Sequence, residues 1–281
     1  MPALQIKNER EFAFSDAEFA FIADIAHNIT GIVINASKRD MVYSRLVRRL
    51  RALSLRSFAD YCKLLQSAAG EQEIGNLVNA ITTNLTGFFR ESHHFEHLHE
   101  HVLTPLLQNP PPDKKIRLWS SACSSGMEPY SMAMTLHNCL GDKLNRFDAK
   151  ILATDIDTAM LKVASQGHYD ASELKNIAGN NRKYIEKLAG NQFAVNDALK
   201  QSIIFKQLNL LESWQMKGLF DAIFCRNVVI YFDKPTQAKL FDRIADKLKP
   251  GGILYIGHSE NLFKVCNRFE LIGRTTYRRI I

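Results

Sequence analysis

Residues 82–101 read TTNLTGFFRESHHFEHLHEH and hold five of the chain's nine histidines behind a single arginine, Arg90. His93, His97 and His101 are spaced i, i+4, i+8, one face of a helix, which is a geometry open to a metal ion. A zinc centre also wants a fourth ligand or an acid at ligand-like spacing, and the chain has neither a Cys-x-x-Cys nor a His-Glu-x-x-His pattern. The stretch is therefore read as a polar helix whose histidines bond locally, with no metal. What Arg90 is for has to come from the rest of the chain.

A second set of polar residues falls where apolar segments end. IRLWSSAC runs into SSACSSGMEP, AKILATDID ends in acids, SIIFKQLN ends at Asn209, and DAIFCRNVVIYF carries Asn227 and Tyr231. If these segments are neighbouring parallel strands, their carboxyl ends form the usual ligand crevice of a doubly wound sheet. SSACSSGMEP is a small-residue turn that opens a helix, so its backbone N–H groups can approach a ligand closely. Gly126 is its only glycine, and the G-x-G-x-x-G pattern of a dinucleotide site is missing. Asp155 stands where an acid can accept hydrogen bonds from a ribose diol. An acid for a nucleoside without a glycine loop for phosphate suggests S-adenosylmethionine, which has ribose and adenine but no phosphate.

Each residue also has a plainer role. Asp155 could cap a helix, although Asp157 already fills that position; Glu128 could favour a helix N-terminus; Asn227 could be a turn residue; Tyr231 could be a core tyrosine; Arg90 could belong to a surface ion pair. Singly the signals are weak. Their common placement at strand ends is what carries weight.

The elements needed to position them are legible as pattern. From Asp16 to about Ser92 the text is helical: FSDAEFAFIADIAHNITGI, a basic helix, SFADYCKLLQSA and EIGNLVNAITTN. After the turn-rich QNPPPDKK, strand and helix alternate, with EPYSMAMTLHNCL, DTAMLKVASQ and PTQAKLFDRIADKLK as the helices, which predicts a parallel sheet with crossovers. FELIGRTTYRRII reads as a closing hairpin. Residues 184–205, YIEKLAGNQFAVNDALKQSIIF, break the alternation at Gly190-Asn191 and Asn196-Asp197, two turn-forming pairs, and predict a small antiparallel insert.

Composition bounds the rest. At 281 residues and 46% hydrophobic content, one large or two unequal folded domains are expected. No long apolar run occurs, and MPALQIKNEREFAFSD has charges where a signal peptide needs an apolar core, so a soluble cytoplasmic protein is expected. Five scattered cysteines, Cys62, Cys123, Cys139, Cys225 and Cys266, argue for reduced thiols. The formal charge of +7 is uneven, for KRDMVYSRLVRRLRALSLR, residues 38–56, has a single acid, Asp40, among its cations. Projected as a helix, Lys38, Arg45, Arg48, Arg49 and Arg56 share a stripe about 100° wide, beside an apolar face of Val42, Leu46, Leu50 and Leu53. A negatively charged partner is expected there, whether an acidic protein, nucleic acid or a membrane surface.

Taken together, TTNLTGFFRE, RLWSSACSSGMEPYS, ATDIDT, DAIFCRNVVIYFDK and LKPGGILYIGHSEN resemble the bacterial chemotaxis receptor (methyl-accepting chemotaxis protein) glutamate O-methyltransferases, and KRDMVYSRLVRRLRAL is similar to that family's basic helix. The likeness runs from about Gly31 to Tyr277. It implies an all-α N-terminal domain over about 1–86 and an α/β methyltransferase domain over 87–281. The latter would be a class I, Rossmann-like seven-stranded sheet with an antiparallel β-subdomain near 172–203. By position, Asn84, Thr86, Arg90, Glu128, Asp155, Asn209, Leu210 and Asn227 would contact S-adenosylmethionine, and Arg90 and Tyr231 would flank the transferred methyl. The segment from Asn84 to Arg90 would close over the cofactor. In SSGMEPYS this chain has Met127 where many relatives have a first acid, while Glu128, the matching acid, is present.

The implied reaction converts receptor glutamates to methyl esters, leaving S-adenosylhomocysteine. The implied partners are the cytoplasmic helical signalling domains of chemotaxis receptors, met by a monomer through the basic stripe, with no nucleic acid and no insertion in the membrane. Because the loop in EKLAGNQFAVND is short, with Gly190 its only glycine, independence of a receptor C-terminal pentapeptide is expected. Two other readings compete: a nucleic-acid methyltransferase, disfavoured by the lack of an Asn/Asp-Pro-Pro-Tyr motif and of an aromatic stacking platform, and a non-catalytic S-adenosylmethionine-binding adaptor, disfavoured by intact Arg90 and Tyr231.

Overall fold

A computed structural model describes residues 10–281; residues 1–9, on which part of the reading of the N-terminus rests, lie outside the described residues. The chain divides into two compact units, the first ending at Thr82 and the second spanning Thr83–Ile281.

The first unit is built of helices α1 (Asp16–Thr30), α2 (Arg39–Ala52), α3 (Phe58–Gln66) and α4 (Glu71–Ile81). Ser15 starts α1 through a capping box with Glu18, and Gly31 ends it in the left-handed conformation that a side chain would resist. Val42, Leu46 and Leu50 of α2 are fully buried and Leu53 partly so, which is the apolar face read from the sequence. The cationic stripe is shorter than expected. Helix α2 stops at Ala52 and Ser54 takes a positive φ of 56°, so Arg56 belongs to the turn before α3 rather than to the helix.

The second unit opens with a continuous helical segment, α5 (His93–His97), a π-helical stretch (Leu98–Leu103) and α6 (Thr104–Gln108). Alternation follows: β1 (Lys115–Ser120), α7 (Met127–Leu140), β2 (Asp148–Asp155), α8 (Thr158–Gln166), β3 (His168–Asp170), β4 (Ile185–Lys187), β5 (Gln192–Val195), α9 (Asp197–Lys200), β6 (Ile203–Gln207), β7 (Phe220–Cys225), α10 (Lys234–Lys247), β8 (Leu248–Ile256), β9 (Phe269–Gly273) and β10 (Thr276–Arg279). Seven strands form one sheet in the order β6-β2-β1-β7-β8-β10-β9, the first five parallel and the closing hairpin antiparallel. All six residues of β7, at the sheet centre, are buried, which is why its text is an unbroken apolar run except for Asp221. Phe224, Tyr255 and Phe95 pack above it, with ring centroids 4.3 Å apart for Phe224–Tyr255 and 5.5 Å for Phe95–Phe224.

The antiparallel insert is real but differently bounded. It has three strands in the order β3-β5-β4, and the Gly190-Asn191 pair makes the β4–β5 turn as expected. Asn196-Asp197 is not a second hairpin: the Asn196 side chain caps the short helix α9 by accepting from Leu199 N–H, and the following strand, β6, joins the parallel sheet. The β7 strand is likewise shorter than DAIFCRNVVIYF, because Val229–Tyr231 turns into a 3₁₀ helix. Among the described residues, no helix is long and apolar enough to cross a membrane.

Candidate active site at the carboxyl ends of the parallel strands

Sheet order reverses around β1, whose neighbours are β2 and β7, and the in-register pairs Ser120↔Ala153 and Ser120↔Phe224 bring the ends of these three strands together. The β1 exit loop is laid across the ends of its neighbours, with Ser121 N–H donating to Phe224 O and Cys123 N–H to Thr154 O, each at 2.9 Å. Only small residues suit this path. Ser124 and Gly126 take φ of 49° and 90°, and a Cβ on Gly126 would lie 2.8 Å from the Ala164 Cβ of α8.

Asp155, the last residue of β2, is 8% exposed. Its Oδ2 accepts from Ser124 N–H at 2.7 Å and its Oδ1 from Asp157 N–H at 2.9 Å. Burial pushes its carboxyl from 3.8 up to about 6, against the pull of these backbone donors. Asp157 is the helix cap anticipated for it, accepting from Ala159 and Met160 N–H. Its other oxygen accepts from the Asn84 side chain at 2.8 Å, and Ser124 Oγ donates to Asn84 O at 3.0 Å, so the segment carrying Asn84 and half-buried Thr86 lies against the β1 and β2 loops. Asn209 and Leu210 reach the same place through Leu208 N–H, which donates to Asp155 O at 3.0 Å. Asn209 Oδ1 holds its own turn by accepting from Leu211 N–H at 3.0 Å.

Glu128, in the first turn of α7, is 9% exposed and its oxygens are engaged: Oε1 accepts from Ser120 Oγ at 2.7 Å and Oε2 from Arg226 Nη1 at 2.9 Å. Burial raises its pKa, and Arg226 opposes the shift. Arg226 has a side chain only 2% exposed; it also donates to Arg90 O and lies 3.3 Å from Glu91 Oε2. Glu91 is held at about 2 because Arg226 and bonds from His258 outweigh its burial. Arg90 itself turns its guanidinium back to Leu85 O at 2.8 Å. Asn227 takes a positive φ of 57°, donates its N–H to Glu260 Oε2 at 3.0 Å, and reaches Glu91 Oε1 with its side chain at 3.4 Å. Tyr231 closes the 3₁₀ turn that follows, half-buried.

The structure thus places Asn84, Asp155, Asn209 and Leu210 around the β1–β2–β6 loops, and Arg90, Glu128 and Asn227 around Arg226. Arg226, Glu91 and Glu260 escaped the reading of the sequence. Their signal was available: a lone arginine directly after a buried strand, and single acids in FRES and GHSEN, each require a partner once buried.

The opening histidines take separate roles. His94 is fully buried; its Nε2 lies 3.0 Å from Thr275 Oγ1, and burial with Arg226 nearby lowers it to about 3. His97 Nδ1 pairs with Tyr255 OH at 2.9 Å and its ring packs at a tilt against His101, as His93 does against His94. No group of three His, Cys, Asp or Glu side chains able to hold a metal occurs among the described residues.

In the first unit, Arg45 Nη1 donates to the carbonyls of Ala80, Ile81 and Thr82 at 3.3, 3.0 and 2.6 Å, satisfying the end of α4. Arg49 makes a two-pronged bond to Glu73 at 2.9 and 2.6 Å, a carboxylate that Tyr61 and Asn76 also bond. These two arginines are therefore engaged inside the helical unit. Arg48 and Arg56 are exposed, and Lys38 is half-exposed.

A buried acid at the end of β2, with acceptor capacity beyond the backbone donors of Ser124, Asp157 and Ile156, fits a ligand that donates hydroxyls. A loop of Ser, Cys and Gly fits one that must come close. Fold and site together define a class I S-adenosylmethionine-dependent methyltransferase with an all-α domain before it. Residues 17–82 match the CheR methyltransferase all-alpha domain and residues 84–278 the CheR methyltransferase SAM binding domain, so the chain belongs to the CheR methyltransferase family. It is 46% identical over 253 residues to a probable chemotaxis protein methyltransferase of Rhizobium etli, covering 88% of this chain and 94% of that one. It is 42% identical over 280 residues to the chemotaxis protein methyltransferase of Escherichia coli, covering 98% and 95%. With chemotaxis protein methyltransferase 2 of Pseudomonas aeruginosa it shares 42% over 275 residues, 95% of either chain.

Proposed function

We propose that this methyltransferase esterifies glutamate side chains on the cytoplasmic helical signalling domains of chemotaxis receptors. The observation that carries the reading is that similarity to chemotaxis protein methyltransferases spans both units, the all-α domain included, and not only the cofactor fold. In this reading Asp155 holds the ribose, Asn84, Thr86, Glu128, Asn209, Leu210 and Asn227 complete the cofactor site, and Arg90 and Tyr231 face the acceptor. Glu128 acts there from within its pair with Arg226.

Bound S-adenosylmethionine supplies an electrophilic methyl on sulfonium, which a glutamate carboxylate can take to become a methyl ester. A glutamate with a pKa of about 4.3 is already ionised at neutral pH, so no residue has to remove a proton. The chain's task is alignment. Arg90 is the cation assigned to fix one carboxylate oxygen, since its Nη1 bond to Leu85 O leaves other N–H donors for the acceptor; a loose hold is better than a tight one, because binding the ionised acceptor strongly would stabilise the ground state. Such positioning can lower a barrier by on the order of 7 kcal/mol or more when the alignment is good.

Exposed Arg48 on α2, Arg56 in the turn after it and Lys38 just before it supply positive charge for an acidic receptor helix, while Arg45 and Arg49 keep the bundle that presents them. Recognition is independent of a receptor C-terminal pentapeptide. The β4–β5 connection supports this, being a closed turn with Leu188 N–H donating to Gln192 O at 2.9 Å. Incubation with methyl-labelled cofactor and receptor-bearing membranes tests the proposal: label should enter protein and be released as methanol by mild base. Label in added RNA would favour the nucleic-acid alternative, and binding without any transfer the adaptor.

A further inference from the structure

Two turns at the carboxyl edge of the sheet are tied to each other by one side chain. The turn after β7 carries Asn227 and Tyr231; the turn after β8 begins at Gly257 and contains Glu260. Glu260 Oε2 accepts from Gly257 N–H at 2.6 Å and from Asn227 N–H at 3.0 Å, and Oε1 accepts from Val229 and Ile230 N–H at 2.9 and 3.3 Å. The residue is 5% exposed. Four backbone donors thus converge on one buried carboxylate. The turns also touch directly, since a Cβ on Gly257 would lie 2.3 Å from Asn227 Nδ2.

An ionised carboxylate suits this place and its analogues do not. It offers about four lone pairs and no donor, matching four N–H groups. Glutamine would keep one acceptor oxygen and turn an NH₂ toward backbone donors; alanine would leave all four without a partner. Asn227 takes the left-handed conformation (φ 57°), which asparagine tolerates, and it is the four N–H groups gathered on Glu260 that hold the turn in this one arrangement.

We propose that Glu260 is a positioning residue for methyl transfer: it fixes the backbone from Asn227 to Ile230, and with it the presentation of Asn227 to the cofactor and Tyr231 to the acceptor. This rests on the assignment of Asn227 and Tyr231 made above. Glu260 touches neither ligand and acts only through the turn.

The test uses the full chain and calorimetric binding of S-adenosylhomocysteine, which needs no receptor, alongside turnover at saturating cofactor. Glu260→Gln is expected to weaken S-adenosylhomocysteine at least tenfold at a temperature where it is fully folded, and to lower kcat as well. Ile244→Ala, a fully buried site on α10, serves as the stability control: it should lower the melting temperature and leave affinity unchanged. In an Asn227→Ala background, Glu260→Gln should cost little further affinity, because the two act through one contact. If Asn227→Ala weakens binding while Glu260→Gln binds like the wild type, or if the two losses add fully, the positioning role is wrong and the site assignment stands. If Asn227→Ala itself binds normally, the assignment fails and takes the positioning role with it. Should Glu260→Gln not fold, Glu260→Asp, which keeps the charge on a shorter stem, gives the same reading: a several-fold loss of affinity supports the role, and an unchanged affinity overturns it.

Discussion

Protonation of Asp155 should control cofactor affinity in the mildly acidic range. Burial raises its pKa from 3.8 to about 6, a shift of about two units that corresponds to ~3 kcal/mol in favour of the protonated form in the folded chain. The folded value lies above the unfolded one, so this group favours the fold most at low pH, and that contribution is lost as pH rises through about 6. At neutral pH the native protein therefore holds a poorly solvated carboxylate. Ribose hydroxyls donating to it would stabilise the charge and lower its pKa in the complex. Binding must then release a proton wherever the free carboxyl is protonated. Affinity for S-adenosylhomocysteine should be level above about pH 7 and fall roughly tenfold per unit below about pH 6, until the pKa of the complex is reached. Asp155→Asn removes the charge at every pH and turns an amide N–H toward the Ser124 or Asp157 donor. The lost charged acceptor is worth ~1.5–3 kcal/mol, or about 10- to 150-fold at pH 7.5. Calorimetry in two buffers of different ionisation enthalpy counts the released protons. An affinity that stays flat across this range with no proton release, or an Asp155→Asn variant that binds like the wild type, would refute the reasoning.

Arg90→Ala is expected to cut turnover strongly at saturating substrates with an unchanged melting temperature; a near-normal rate would remove Arg90 from the acceptor site. Arg49→Ala should act on stability rather than docking, since it leaves the Glu73 carboxylate, 4% exposed, with only Tyr61 and Asn76 as donors; removing one partner of a buried pair costs about 3–5 kcal/mol, the remaining neutral donors reduce that here, and the loss is read as a clear drop in melting temperature. A loss within about 0.5 kcal/mol, the scale of an exposed pair, would show that the bidentate bond is dispensable. Arg48→Ala with Arg56→Ala should raise the KM for receptor without changing cofactor affinity, and added salt should mimic it; a salt-independent KM argues against electrostatic docking. Titration with a receptor-tail pentapeptide should give no heat, and micromolar binding would overturn the proposed independence.

Much of the fold was legible because its elements are locally consistent. The buried runs of β1, β2, β7 and β8, the cap at Asp157, and the periodicity of α2 each point to the observed structure. Asn196-Asp197 misled because the same residue pair suits a hairpin or a helix cap, and only the pairing of β6 with β2 decides between them. The stripe ending at Arg56 misled because ideal projection continues past Ser54, where the backbone turns left-handed. In the site, residues that end strands were readable, whereas Arg226, Glu91 and Glu260 were not: their meaning lies mostly in partners 30 to 136 positions away in the chain, which periodicity does not encode. Arg45 and Arg49 show the same limit, as their charge was visible but not the carbonyls and the carboxylate that bind it.

The most direct test of the central claim is tandem mass spectrometry of a receptor signalling domain after turnover with this protein and S-adenosylmethionine. Methyl groups should be found on glutamate side chains as base-labile esters, at sites facing outward on the receptor helices. Methylation confined to lysine, to the chain terminus or to nucleic acid, with the receptor glutamates unmodified, would contradict it.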